Sequence, residues 1–289
     1  MPIRRLPDLT PGQVTKLQDA LLANAHALLT SALAVLDLGN VALARSLAIL
    51  GLEESGKAIA VHERRVEMGH TDDGTPFRND RFDELWASHE RKLEAVHSFL
   101  VREEYWFDVE PADPARNAAQ LGKIKSWSRR HDRSKQRGFY VEISKSGDVM
   151  EPSDVEDEED LREIIGRVHQ VGWQLRLGEH IEGKRQDQQE VGVPPVDNAD
   201  LAWLDRADRA DGLPAEALGE VKRLAQEGVP GVPLPNAAYR FNPPGADRSP
   251  FRNLGRPGYE EETLELMRFA RELDELEDDE DREDAGGFH

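Results

Sequence analysis

The chain has 289 residues, of which 38% are hydrophobic and 33% charged, with no cysteine and a formal net charge of −20. This length supports a sizeable hydrophobic core, and the lack of cysteine excludes disulfide scaffolds, thiolate metal sites and thiol nucleophiles. The negative charge argues against non-specific nucleic-acid binding by the whole molecule, because phosphate is repelled at long range.

Two long alanine-rich helices are predicted at the start of the chain. Thr10 is a suitable N-cap with Pro11 at the first helical position, and apolar residues then recur at helical spacing up to Gly39. Asn40 can cap a second helix that ends near Gly69.

A third helix is predicted from Arg81 to Trp106, because apolar residues form one stripe along it. From Asp108 to Ser153 the periodicity is lost, and prolines, a basic run and a short extended segment indicate an insertion that holds a small hairpin. A fourth helix is predicted from Ser153 to Gly183, with acidic residues at its positive end.

Beyond Gln189 the composition shifts to proline, glycine and charge, which breaks any regular pattern. Short helices are expected at 214–227 and 260–277. Between Glu272 and Asp284 there are ten acidic residues and one arginine, and we expect this block to be a solvated tail.

Charged side chains interrupt the apolar faces of the second and third helices. Glu54 stands in line with an apolar stripe, so its carboxylate is predicted to point inward, while Glu53 and Lys57 can pair on the exposed side. His89 continues the apolar stripe of the third helix, and Lys92 follows one turn later. A histidine in such a place is more often a satisfied core residue than a catalyst, so both interpretations stay open.

Three segments together resemble the AbiV family of bacterial abortive infection proteins, which belongs to the HEPN superfamily of helical bundles: ARSLAILGLEESGKAIAVHE, LWASHERKLEAV and RGFYVEI. The resemblance covers Thr10 to Gln189. It implies a mainly α, HEPN-like helical bundle over 10–190 with the basic insertion at about 108–153. The resemblance does not reach residues 191–289, which the composition predicts to be an irregular Pro/Gly-rich extension with short helices and an acidic tail.

Many members of that superfamily are metal-independent ribonucleases that carry an arginine followed by a histidine after four to six residues. Two of the pairs in this chain have poor geometry on a helix. Arg65 and His70 lie about 140° apart, and Arg91 and His97 about 120° apart.

Arg162 and His169 are seven residues apart and share one helix face, on the last bundle helix, where the superfamily places its pair. In that interpretation His169 transfers the proton of the attacking ribose hydroxyl, and Arg162 stabilises the phosphorane. Four further catalytic candidates orient this pair or form a second functional surface, unless they form only a buried salt-bridge network: Glu54, Lys57, His89 and Lys92.

The basic insertion combines cations with aromatic residues, which suits single-stranded RNA because aromatic rings stack on bases while cations meet phosphates. The alternative is an internal partner for the acidic tail. The RNA-binding candidates are Lys123, Lys125, Trp127, Arg129, Arg130, Arg133 and Tyr140.

The resemblance thus implies a phage-defence protein that cuts RNA. The alternatives are a non-catalytic module that recognises a phage product or a translation component, and an antitoxin-like structural protein. We expect a cytoplasmic homodimer with RNA or a phage protein as partner.

No cofactor or metal is expected, since no nucleotide-binding glycine loop, HExxH or GxSxG motif occurs. No signal peptide is expected, because the two arginines of the N-terminal segment are followed by prolines and not by an apolar core. No membrane span is expected either, because polar and charged residues interrupt the apolar region 20–60.

Overall fold

The fold is mainly helical, as predicted. The computed structural model describes residues 7–105, 112–154, 158–196, 215–247 and 249–260. The predicted acidic tail and nearly all of the predicted helix at 260–277 lie outside these ranges. The helices are α1 (Pro11–Asp37), α2 (Val41–Gly69), α3 (Asp80–Ala87), α4 (His89–Arg102), α5 (Pro114–Leu121), α6 (Ile124–Phe139), α7 (Glu158–Val191) and α8 (Ala215–Glu227).

Local signals placed the first two helices correctly. The hydroxyl of Thr10 accepts a hydrogen bond from the backbone N–H of Gln13, whose side chain reciprocates in a capping box. The side chain of Asn40 accepts a hydrogen bond from the N–H of Leu43 at 3.1 Å and caps α2. Helix α2 ends at Gly69, as the sequence indicated.

The predicted third helix is in fact two helices, α3 and α4. The chain is extended at Ser88, which ends α3 and whose hydroxyl accepts a hydrogen bond from the N–H of Arg91 to begin α4. Serine favours such N-cap positions because its side chain satisfies an orphan donor. The break makes His89 the first residue of α4.

The insertion is more regular than the sequence predicted. It contains α5 and α6, followed by an antiparallel hairpin of β1 (Glu142–Ile143) and β2 (Val149–Met150). The hairpin was predicted, and the two helices were missed.

The last bundle helix, α7, follows a short 3-10 turn at Pro152–Asp154, and it extends beyond the predicted end at Gly183. Helix α8 confirms the helix expected at 214–227. Strand β3 (Gly192–Val193) pairs with β4 (Val229–Pro230), and 3-10 turns occupy Ala237–Tyr239 and Pro250–Asn253.

The described residues form two compact units. The first comprises the described parts of Met1–Arg65, Pro76–Gly178 and Ser249–His289, and the second those of Val66–Thr75 and Glu179–Arg248. All candidate site residues belong to the first unit. Its core is centred on α2, and it includes the buried side chains of Ala48, Ile49, Leu52, Ile59, Leu93, Val96, Leu161, Val168 and Leu175.

The short C-terminal segment 249–260 packs on α1 and α7 within the first unit. The fully buried guanidinium of Arg176 donates hydrogen bonds to the carbonyl of Pro257 at 2.8 Å and to Asp19 at 2.7 Å. Arg256 donates to the same carboxylate at 2.6 Å. These bonds fix this part of the extension on the bundle.

Helix α1 is the one helix among the described residues that is long and apolar enough to span a membrane, with a mean hydropathy of 1.4 over its best window. The sequence analysis predicted this helix but did not identify it as a candidate span, because it considered the interrupted region 20–60. Core helices of soluble proteins pass the same test, and α1 buries one face in the bundle through Val14, Leu21, Ala25, Leu29 and Ala32.

Candidate functional site

Helix α2 carries two adjacent carboxylates with different surroundings. Glu53 is 3% exposed, whereas Glu54 is only partly buried and receives a hydrogen bond from Lys57 at 2.5 Å. The prediction that Glu53 pairs with Lys57 on the exposed side is therefore wrong, because Lys57 pairs with Glu54 and Glu53 is the more deeply buried carboxylate. Both α4 and α6 supply partners to Glu53, so the side of α2 that was taken as exposed is covered.

Two glycines allow these helices to pack closely. A side-chain carbon at Gly56 would overlap the carbonyl oxygen of Lys92, so α4 lies against the backbone of α2 at this point. A side-chain carbon at Gly138 would overlap Ser46, whose hydroxyl donates to the carbonyl of Lys135 at 2.9 Å. The backbone approach at both glycines brings side chains of α4 and α6 to Glu53.

Glu53 binds two basic groups. One carboxylate oxygen lies 2.5 Å from Nδ1 of His89, and the other accepts a hydrogen bond from the buried ammonium of Lys135. Lys135 also lies 3.0 Å from a carboxylate oxygen of Asp132. The sequence analysis selected neither Glu53 nor Lys135 as a site residue.

Two more lysines border these groups. The ammonium of Lys57 lies 5.3 Å from the ring centre of Trp86, in the range of a cation–π contact. Lys92 is buried, and burial lowers its pKa, with further lowering by the charges of Lys57 and Lys135 that Glu53 and Glu54 partly offset. We call this group the seam cluster: Glu53, Glu54, Lys57, His89, Lys92 and Lys135.

The seam cluster is suited to proton transfer. The side chain of His89 is 58% exposed although its Nδ1 is anchored to a buried carboxylate. A carboxylate at one ring nitrogen fixes the orientation and tautomer of an imidazole and leaves the other nitrogen for a substrate. Among the described residues, no three His, Asp or Glu side chains converge as metal ligands would.

Arg162 and His169 both lie on α7. His169 is half-buried, its ring centre lies 6.5 Å from that of His26, and it lines a groove of about 10 Å³ that also includes Ser55. Arg162 is exposed. Their catalytic role stays a prediction.

The contacts of Arg91 and His97 argue against these two residues as a catalytic pair. His97 is buried, and its Nε2 lies 2.9 Å from the carbonyl of Gly122. Arg91 lies 3.5 Å from Glu84.

The predicted RNA-binding residues fall into three groups. Trp127 is 2% exposed and packs against His131 and Arg167, so the prediction that it stacks on bases is wrong. Lys125 and Arg129 are exposed but form ion pairs with Glu90 or Glu94. The others are exposed: Lys123, Arg130, Arg133 and Tyr140.

Helix α6 has an outer face of arginines. Arg130, Arg133 and Arg137 project within about 60° of one another, since they are three and four residues apart, and all three are exposed. Within the described part of the chain, the cations of α6 that form ion pairs lie on its other faces, and they are Lys125, Arg129 and Lys135. The three arginines therefore form an arginine stripe that none of the described acidic side chains neutralises.

Comparison with known proteins adds one match. Residues 13–173 match the model of the HEPN_AbiV family, described as AbiV, and this range contains the whole seam cluster as well as Arg162 and His169. No curated protein and no solved structure matches the chain.

Proposed function

The chain belongs to the AbiV family of HEPN-type proteins, a family of abortive infection and antiphage defence proteins, and we propose that it acts by cutting RNA without a metal ion. We further propose that the seam cluster is the catalytic centre. The sequence had favoured Arg162 and His169, with four residues in an orienting role or as a second functional surface: Glu54, Lys57, His89 and Lys92.

One observation carries this proposal: an exposed imidazole, His89, is held through Nδ1 by a buried carboxylate, Glu53, at 2.5 Å. Keeping a carboxylate out of water is costly, and Lys135 compensates its charge from the other side. The second nitrogen of His89, Nε2, has no partner among the described residues and is the atom available to a substrate.

The chemistry that fits is cleavage by the RNA's own 2′-hydroxyl. Nε2 of His89 takes the hydroxyl proton while the 2′-oxygen forms a bond to phosphorus, and the bond from phosphorus to the 5′-oxygen breaks. The leaving 5′-oxygen takes a proton from water. The products are a 2′,3′-cyclic phosphate and a 5′-hydroxyl end, and the charge of Lys57 and Lys92 favours the phosphorane.

RNA affinity would come from outside the seam cluster. The arginine stripe on α6 supplies three exposed cations, and Tyr140 follows it with 59% of its surface exposed. Arginines that neutralise phosphates and an aromatic ring that stacks on a base are the usual elements of single-strand binding.

The resemblance to HEPN bundles supports two further proposals, a homodimer and a cytoplasmic location. Light scattering of the purified chain tests the first, since a monomer mass at micromolar concentration would contradict it. Fractionation of the bacterial host tests the second, because recovery in the membrane fraction would overturn it.

The test of the function is cleavage of total and transfer RNA by the full chain in EDTA. We expect 2′,3′-cyclic phosphate ends, and we expect a single 2′-deoxy nucleotide at the cut site to abolish that cut, because it removes the nucleophile. Cleavage that requires a divalent metal, or that survives the 2′-deoxy substitution, contradicts the mechanism.

A second candidate is a non-catalytic module that recognises a phage or translation component. The observation in its favour is the charge balance around the seam, where Glu53, Glu54 and Asp132 face Lys57, Lys92 and Lys135, as in a structural salt-bridge network. The absence of cleavage on all RNAs, together with retained phage defence in a His89→Ala variant, would select this function.

A further inference from the structure

A second cleft opens at the far end of α4 from His89. It has a volume of about 350 Å³ and lies between the end of α4, α5 and the first half of α7. Its size is in the lower range of small-molecule sites in proteins. Glu103 and His89 mark the two ends of α4, which at 1.5 Å per residue are about 20 Å apart.

One wall of the cleft carries the carboxylate of Glu103, the residue that ends α4 in the left-handed conformation. Glu103 is the only residue other than glycine with a positive φ angle in the described part of the chain, at 49°. This backbone region is sparsely populated by residues with a side chain and often marks functional positions. The side chains of Asn117 and Gln170 donate hydrogen bonds to its carboxylate at 2.7 and 3.4 Å, so both oxygens are held in place beside the cleft.

The positive charge in the lining of the cleft comes from Arg167 on α7. Its guanidinium lies 5.8 Å from the ring centre of Trp127 and forms an ion pair with Glu163. Its Nη1 is buried and has no hydrogen-bond partner among the described residues. Because Arg167 lines the cleft, a small rotation would offer this N–H to a bound acceptor.

We infer that this cleft binds a guanine base. Guanine presents two adjacent donors, N1–H and the N2 amino group, that match the two oxygens of Glu103. Its O6 and N7 acceptors match an arginine, as in DNA recognition. Leu100 and Leu121 provide apolar contact for the ring faces. Adenine places an acceptor, N1, where the carboxylate needs a donor, so it is disfavoured.

Guanine could come from a free nucleotide or from RNA. The RNA arm rests on the proposed function: a guanine held here would lie about 20 Å from His89, so it would be a few nucleotides from the cut and would select where RNA is cleaved. The nucleotide arm does not depend on cleavage.

Calorimetry with the full chain separates these outcomes. We expect binding in the order GMP, then IMP, which lacks the N2 amino group, and then AMP, with at least about a tenfold difference between GMP and AMP. Glu103→Gln should lose GMP binding by a similar factor. Glu103→Gly removes the carboxylate but relieves the backbone strain, so loss of binding in this variant as well shows that the carboxylate is responsible rather than misfolding.

His89→Ala is the matched control and should bind GMP normally. In the RNA arm, oligoadenylate with one guanosine should be cut at a fixed offset from that guanosine. GMP binding without any RNA cleavage would remove the proposed function and leave the guanine site. Equal affinity for AMP and GMP, no binding of either, or full binding by both Glu103 variants would overturn the guanine site alone.

Discussion

Helix α2 contributes to two polar regions nine residues apart, one around Glu53 and one around His62. At His62 the imidazole is fully buried against Tyr105, with Nε2 3.0 Å from the phenol oxygen. Burial, and then the charges of Arg65 and Arg176, lower its pKa to about 3. At Glu53 the carboxylate is buried, and the imidazole it holds, that of His89, is exposed.

The difference teaches that a polar group inside a helical bundle is not by itself a sign of catalysis. His62 is sealed and neutral, which is the arrangement of a structural histidine. His89 combines a fixed ring with an accessible nitrogen, which is the arrangement that proton transfer needs. Burial of the anchor and exposure of the reacting atom together distinguish the two regions.

The largest expected effect comes from His89. His89→Ala should lower the rate of RNA cleavage by about 10²- to 10⁴-fold, since general acid–base groups contribute that much. His70→Ala, at an exposed histidine, is the matched control and should cleave normally. If His169→Ala abolishes cleavage while His89→Ala does not, the catalytic centre lies on α7 instead.

The next effect is on stability. Glu53→Gln leaves the ammonium of Lys135 buried without its main partner, so the free energy of unfolding should fall by about 3 to 5 kcal/mol in urea titrations. Glu54→Gln is the matched control, because its partner Lys57 is partly exposed, and we expect a loss below about 1 kcal/mol.

A double variant separates structure from catalysis at Glu53. Glu53→Gln combined with Lys135→Met should recover most of the stability, since the ammonium that Glu53→Gln leaves without its main partner is then removed as well. RNA cleavage should stay impaired, because His89 has still lost its carboxylate. Recovery of cleavage along with stability would show that Glu53 has only a structural role.

These variants also show what the sequence could and could not predict. The caps of α1 and α2 depend on neighbours within four residues. The sequence was therefore enough to predict Thr10 and Asn40 as N-caps. The choice between Glu53 and Glu54 depends on which helices cover α2, and the sequence analysis missed α6, which covers Glu53.

Helix α6 did carry a signal. Trp127, His131 and Lys135 repeat every four residues and Gly138 follows, so they form one inward face. The basic composition of this segment led to an RNA-binding interpretation, and the inward face was therefore not recognised. No local pattern shows that a lysine will meet a buried carboxylate 82 residues away in the sequence.

The buried His62 should have a smaller effect on the free energy of unfolding, and this effect should depend on pH. The folded-state pKa of His62 is lowered from 6.5 to about 3, so its contribution to stability is present above pH 6.5 and is lost as the pH falls toward 3. Between pH 7 and pH 5 the loss should be about 2 kcal/mol. Urea titrations of His62→Gln should lack this part of the pH dependence, and an unchanged dependence would contradict a neutral, sealed imidazole.

The smallest expected effect concerns the outer face of α6. We expect a change in salt dependence when Arg130, Arg133 and Arg137 are replaced by alanine. The slope of log affinity for single-stranded RNA against log salt concentration should become shallower by about 2, because each of the three lost phosphate contacts contributes about 0.7. Anisotropy with a labelled oligonucleotide measures this slope. Alanine at three other exposed cations, Lys16, Arg81 and Lys184, is the control. An equal change in both triple variants would show only a general charge effect.

The most direct test of the seam cluster is chemical rescue of His89→Ala by free imidazole. The exposed position leaves room for an imidazole molecule at the place of the lost ring, so RNA cleavage should return as the imidazole concentration rises, and His169→Ala should show no such response. Full cleavage by His89→Ala without imidazole, or rescue seen only with His169→Ala, would contradict the assignment of His89 as the proton-transfer group.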